Sequence, residues 1–252
     1  MPILVKQPMP EGPSILILKE KLLPFKGKKV IDANGYAKGF DADKLIGKTL
    51  LDIKTWGKHT LLCFPKFTVR VHMMLFGSYR INEHTTKNAS LHMDFANGEI
   101  NFYISGVKFV EEPLDEVYDW SADIMAEEWD GDKTLAKLKT KPKLMICDAL
   151  LDQNLFAGSG NIIKNEALFR AKLHPESLIG EISDKKLLEL INKTVEFSFD
   201  FLKWRSAGVL TKHLEAYEKD VCPRNHIPFI KKDTGKTKRH SYFCTKCQKL
   251  FS

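Results

Sequence analysis

The chain has 252 residues, 43% of them hydrophobic and 28% charged, with a formal net charge of +7. It is long and apolar enough to bury a sizeable core, divided between two units. It contains no run of about 18 apolar residues and no apolar leader with a small-residue cleavage site. The composition therefore argues against a disordered, membrane-spanning or secreted chain and predicts a soluble intracellular protein, in the cytoplasm or nucleoid if the source is bacterial.

The charge is concentrated. From Lys203 to Ser252 there are twelve Lys/Arg and four Asp/Glu, a balance of +8, so the rest of the chain is close to neutral. A basic tail fits a polyanionic partner, nucleic acid first, although many basic runs are only solvated surface. Cys63 and Cys147 sit in apolar strings and read as small buried hydrophobes. The odd cysteine total argues against a disulfide framework.

In chain order, "MPILVKQP" precedes "MPEGPS", a string that itself looks like a start. "ILILKEKLLPFKGKKV" then predicts a helix that ends at a Lys-Gly-Lys break. From about 28 to 105, "TLLDIKTW", "HTLLCF", "FTVRVHMM", "GSYRI", "LHMDFA" and "EINFYIS" are short β-type runs. Asn97-Gly98 is the clearest two-residue hairpin turn among them. The pattern predicts a β-sandwich or barrel-like unit behind one helix. An acidic-then-basic stretch from Glu112 to Lys143 marks the domain boundary, and "KLMICDALLDQ", "NIIKNEALFRAKL" and Ser183 to about Trp204 then predict helices.

Three local patterns carry chemistry. Gly158-Ser159-Gly160-Asn161 joins two helices. It is either a simple connection or a place where the next helix presents unpaired N–H groups to an anion such as phosphate. "CPRNHIPFIKKDTGKTKRHSYFCTKC" supplies Cys222, His226, Cys244 and Cys247, a donor set for tetrahedral Zn2+ on a hairpin whose tip is "KDTGK". The C-terminal pair has ordinary CxxC spacing, whereas the first is CxxxH, and no βαβ pattern supports a redox role. With four protein ligands such a metal is structural. Met74, Leu75 and Phe76 in "HMMLFGSYR" are either core residues or an apolar wedge.

Together these segments, from Pro10 to Gln248, resemble the formamidopyrimidine-DNA glycosylase and endonuclease VIII family of base-excision repair enzymes. Members begin Met-Pro-Glu, carry a helix-two-turn-helix motif like "LLDQNLFAGSGNIIKNEALFRAKLHP" and end in a zinc hairpin. The resemblance implies an α+β multidomain fold. Its parts would be an extension at 1–9, a catalytic β-sandwich domain with a flanking helix at 10–130, a helix-two-turn-helix DNA-binding domain at 131–217 and a zinc finger at 218–252.

It also implies roles for particular residues. Pro10 would be the amine that attacks the sugar C1′ of a damaged nucleotide and forms a Schiff base, with Glu11 as general acid-base. Lys58 would contact phosphate and assist β-elimination, and Asn161 would hold the DNA backbone. Arg239 would grip phosphate and assist δ-elimination. Met74, Leu75 and Phe76 would fill the gap left by the extruded nucleotide.

"PEGP", the Leu-aromatic-Gly form of "LFGSYR", and the lack of a Pro-Arg-Arg-Phe run in "ISGVKFVEE" favour the endonuclease VIII branch. The short segment before the zinc hairpin points the same way, toward oxidised pyrimidines. The implied partner is duplex DNA with oxidised bases or abasic sites, bound by a monomer. Because an amide-bonded proline has no nucleophilic lone pair, Met9 is expected to be the initiator, removed to free Pro10. Pro2 is a decoy, followed by Ile3 where a carboxylate is needed. If Pro10 stays blocked, the alternative is a catalytically silent damaged-DNA-binding protein; a zinc-containing RNA-binding module explains the tail but not the other motifs.

Overall fold

The computed structural model describes residues 10–83 and 88–252; the 1–9 extension, with Pro2 and Met9, lies outside the described residues. The chain divides into two units. One comprises Pro10 and Ser14–Tyr118, the other Glu11–Pro13 and Asp119–Ser252. The division falls at Tyr118, inside the acidic stretch, because Ile124, Met125 and Trp129 already pack into the second core.

In the first unit, α1 (Gly12–Leu22) buries Ile15, Leu18 and Leu22, one face at helical spacing, and gives way to a 3-10 turn at Leu23–Phe25 that contains Pro24. Six strands follow: β1 (Val30–Asn34), β2 (Asp52–Trp56), β3 (His59–Phe64), β4 (Phe67–Ile81), β5 (Leu91–Phe95) and β6 (Gly98–Val110). All pair antiparallel, in the order β1-β5-β6-β4-β3-β2. The expected sandwich is thus one hydrogen-bonded sheet. The segment leading into β2 returns to the start of β1 through Val30 N–H to Lys48 O (2.9 Å) and Leu50 N–H to Lys28 O (2.9 Å), so the sheet curls. Val69, Val71, Ile53, Leu62, Ile100 and Phe102 fill its inner side with the α1 residues.

Three details of the β reading change. "FTVRVHMM" and "GSYRI" belong to one strand, β4. The strand predicted over "EINFYIS" runs on through "GVKFV" as the second half of β6, where Arg70 faces Lys108. In the β5–β6 hairpin Phe95 pairs with Gly98, so Ala96 and Asn97 are the turn and Gly98 opens the strand. Asn82 decides this register: its Oδ1 accepts the Glu99 N–H at 2.9 Å and occupies the space beside Gly98.

A short helix, α2 (Leu114–Val117), closes the first unit. The second contains α3 (Gly131–Lys139), α4 (Ile146–Ala149), α5 (Asn161–Arg170), α6 (Asp184–Ser206), α7 (Leu210–His213) and the hairpin β7 (Ile230–Thr234) and β8 (Arg239–Phe243). The helix expected over "KLMICDALLDQ" shrinks to α4. Beyond it Asp152 Oδ1 takes the Asn154 N–H, and Gln153 bridges the Gly158 N–H and the Ser159 carbonyl, so side chains bend the backbone into turns. The long helix forms as expected, and Thr194 and Ser198 return their hydroxyls to the Leu190 and Thr194 carbonyls inside the core. Unlike the amphipathic helix expected from "NIIKNEALFRAKL", α5 is buried on every side from Asn161 to Phe169.

Candidate nucleic-acid interface and catalytic residues

Helix α5 starts at Asn161 with backbone N–H groups that no earlier turn can satisfy. Glu11, 1% exposed, answers them. Its carboxylate accepts from Gly160 N (3.1 Å), Ile162 N (2.7 Å) and Ile163 N (3.1 Å), and Gly12 N–H donates to Gly158 O at 2.9 Å. The glycines are there to admit this segment: a Cβ on Gly160 would stand 2.4 Å from Glu11 Cδ, and one on Gly12 would stand 3.0 Å from Gly158 Cα. The anion that the turn and helix hold is the chain's own carboxylate, in the place that one of the two readings of the glycine turn gave to an external phosphate. Pro10 directly precedes it and is half-buried. Asn161 is buried. Its Nδ2 donates to His240 O at 3.1 Å, while its Oδ1 has no hydrogen-bond partner among the described residues.

Lys58 lies in the tight turn between β2 and β3, where Trp56 pairs with His59 and Gly57 takes φ 54°. The antiparallel register sets His59 opposite His72, and Arg70 two residues before His72 on the same face. Lys58, His59, Arg70 and His72 form a cluster of cationic and titratable groups. Burial, then His72, Arg70 and Lys58, depress His59 to about 3, and His72 is lowered for the same kinds of reason. Sequence reading picked out Lys58 alone. The signal for the others was the alternation in "HTLLCF" and "FTVRVHMM", legible only once β3 and β4 are set in register.

The wedge residues are outside the core. Met73 pairs with Ser105 and Ser78 with Tyr103, so Met74, Leu75, Phe76 and Gly77 all stand opposite Ile104 alone. This excursion exposes Met74 by 50%, Leu75 by 50% and Phe76 by 70%. Gly77 closes it: a Cβ there would meet Met73 Cβ and Met74 N at 2.8 Å.

Arg239 opens β8, directly after the turn at Gly235–Lys238. At the base of the hairpin the sulfurs of Cys222, Cys244 and Cys247 lie within 4.8 Å of one another, with Cys222 and Cys247 at 3.7 Å. Burial and the neighbouring thiols push Cys247 up to about 12. Against burial, backbone N–H groups of Cys247 and Lys246 bring Cys244 down to about 7. Three converging sulfurs fit a thiophilic divalent ion, which would relieve their crowding. His226 stands apart from them. It is exposed, at φ 56°, and its N–H closes the loop onto Cys222 O at 2.9 Å, while Asn225 Oδ1 lies 3.3 Å from Cys244 Sγ.

An α+β protein built on a helix-two-turn-helix motif is the class this architecture defines, and residues 121–199 match the formamidopyrimidine-DNA glycosylase H2TH domain. The chain is 32% identical over 222 residues to endonuclease 8-like 3 of Xenopus laevis, covering 83% of this chain and 36% of that protein. It is 32% identical over 200 residues to endonuclease 8-like 2 of Mus musculus, covering 73% and 59%. It therefore spans only about a third to three-fifths of these relatives' length. The crystal structure of Lactococcus lactis formamidopyrimidine-DNA glycosylase bound non-covalently to DNA with an abasic site superposes with a TM-score of 0.83. The two are 24% identical, and the match covers 95% of this chain and 99% of that one. The helix-two-turn-helix match, the endonuclease 8-like relatives and the shared glycosylase fold together support the formamidopyrimidine-DNA glycosylase and endonuclease VIII family.

Proposed function

We propose that the chain is a DNA glycosylase with abasic-site lyase activity, acting on oxidised bases, pyrimidines foremost, in duplex DNA. The observation that carries this reading is the buried Glu11 carboxylate, held by three backbone N–H groups one residue after Pro10. Such a clamp fixes the backbone beside the nucleophile and keeps a negative charge where a cationic iminium develops.

In this mechanism the free Pro10 nitrogen forms a bond to the sugar C1′, the glycosidic bond breaks and the base departs with its electron pair. Loss of the ring oxygen's bond to C1′ leaves an iminium joining protein and sugar. Glu11 handles the proton at the sugar. Lys58, in its cationic cluster, neutralises phosphate and assists loss of the 3′ phosphate; Arg239 does the same for the second elimination. Met74, Leu75 and Phe76 occupy the space of the extruded nucleotide. Asn161 orients the hairpin and the backbone it faces. Zn2+ would be held by Cys222, Cys244 and Cys247, with His226 turning inward as fourth ligand; the ion would supply structure only.

The test is borohydride trapping on duplex DNA carrying an abasic site. A chain that begins at Pro10 is expected to become covalently attached, and one that retains residues 1–9 is expected not to. Equal trapping by both would remove Pro10 as nucleophile. Tight binding without trapping by either would favour the silent binder.

A further inference from the structure

Lys164 takes no part in the chemistry above, yet it is among the most deeply enclosed side chains in the protein, at 0% exposure. A buried ammonium needs an acceptor for each of its three N–H bonds. Its Nζ finds three: Ser241 Oγ at 2.9 Å, His240 O at 3.1 Å and Arg239 O at 3.3 Å. All three belong to the first turn-side residues of β8, beginning with Arg239 itself. Ser241 Oγ in turn meets Thr234 Oγ1 at 2.6 Å, which carries the contact across to β7.

The neighbouring side chains act on the same strand. Asn161 and Asn165 each donate to His240 O, at 3.1 and 3.2 Å, and Asn165 Oδ1 accepts from Tyr242 N at 2.9 Å. On the far side of Arg239, the Asp148 carboxylate receives Lys236 N (2.9 Å), Thr237 N (3.3 Å) and the Thr237 hydroxyl (3.3 Å), and leaves no room for a Cβ on Gly235. The backbone is thus held on both sides of Arg239, at Lys236 and Thr237 before it and at His240 and Tyr242 after it.

A hydrophobic side chain of similar volume would stabilise the same interface at less desolvation penalty, so packing alone does not account for an ammonium here. We propose that Lys164 is a positioning residue: by fixing the β8 backbone on α5 it sets the direction from which Arg239 meets the DNA phosphate. This inference rests on the role proposed above for Arg239. The groups facing Lys164 are Cys147 and Asp148 from α4, Arg239 from β8, and Glu11; burial is the largest influence and lowers its pKa to about 8. The neutral amine has two N–H bonds for three acceptors, so Arg239 should lose alignment as pH rises through about 8.

The test, made throughout in chains that begin at Pro10, wild type included, compares Lys164→Met and Lys164→Arg with Arg239→Ala, using single-turnover cleavage of an abasic-site duplex and salt-dependent binding to a duplex carrying a stable abasic analogue. For Lys164→Met we expect borohydride-trapped adduct to form within about threefold of wild type, while the ratio of δ- to β-elimination product falls about tenfold. Lys164→Arg should restore part of that ratio, and Lys164→Met combined with Arg239→Ala should be no worse than Arg239→Ala alone. The wild-type product ratio should decline above pH 8 and that of Lys164→Met should not.

A Lys164→Met protein with the wild-type product ratio, or one that loses adduct and both products in parallel, overturns the proposal. If Lys164→Met does not fold, Ser241→Ala, which removes one acceptor, must lower the ratio in the same direction or the proposal fails. If wild-type protein binds DNA but forms no adduct, the enzymatic reading fails by itself. Lys164 is then judged by binding: its Met variant must reduce the slope of log K against log salt by about one, as Arg239→Ala does. If wild-type protein does not bind the duplex, Arg239 has no phosphate to meet and both readings fall together.

Discussion

Glu11 is buried and His59 half-buried, and their surroundings treat charge in opposite ways. Glu11 is surrounded by donors: three backbone N–H groups and the positive end of α5 meet its carboxylate. Glu11→Gln would replace one acceptor oxygen with an NH2 group facing those donors. We expect a loss of about 2–3 kcal/mol in urea-unfolding stability, more than a surface charge deletion produces. No loss would mean that the clamp is not formed in solution.

His59 instead sits beside Lys58, Arg70 and His72, and its Nδ1 is buried with no hydrogen-bond partner among the described residues. Its folded pKa of about 3 lies below the ordinary 6.5, so between these values the unfolded chain binds the proton and the folded one does not. Stability therefore falls as pH drops through that window, by about 2 kcal/mol at pH 5 from this group alone. His59→Asn should flatten the pH dependence of the unfolding midpoint between pH 7 and 5, and an unchanged slope would contradict the burial and charge crowding described above.

At the scale of elements, the proposed wedge is an irregularity in a strand pair. Four residues stand opposite one, and the excursion closes only because position 77 has no side chain. Gly77→Ala should leave the sheet intact while shifting Met74, Leu75 and Phe76. Excision of an oxidised pyrimidine from duplex DNA should fall about tenfold, and trapping on a preformed abasic site, where no base must be displaced, should change less. Equal losses on both substrates would argue against a wedge. The hairpin element has little core of its own: among the described residues Phe169, Ala216 and Phe229, with half-buried Ile227 and Cys247, accompany the buried Cys222 and Cys244. If the thiols hold Zn2+ as proposed, a chelator should lower the melting temperature and weaken DNA binding together, and added Zn2+ should restore both. A chelator-insensitive protein would leave the thiols without the role assigned to them.

Over the whole molecule, most of what resides in contiguous strings was legible. Short β-type runs predicted the strands, the apolar period of Ser183 to Trp204 predicted α6, and cysteine spacing brought Cys222, Cys244 and Cys247 together. The failures have physical causes. An apolar-faced helix would turn Asn161, Lys164, Asn165 and Glu166 to solvent, yet in α5 every one is buried against a specific partner. The Glu166 carboxylate, for example, receives the N–H groups of Glu215, Ala216 and Tyr217. Periodicity registers polarity and carries no information about partners.

From the string of residues alone came the order of the motifs, the Pro10-Glu11 pair, the three thiols and the family they resemble, because each depends on neighbours a few positions apart. Only the folded chain decided what Gly160, Glu11 and Lys164 are for. Glu11 reaches N–H groups 149 and more residues away, and Lys164 reaches acceptors 75 to 77 residues away. Hydrogen bonds form through space, and at such separations the chain's own order does not say which donor will meet which acceptor.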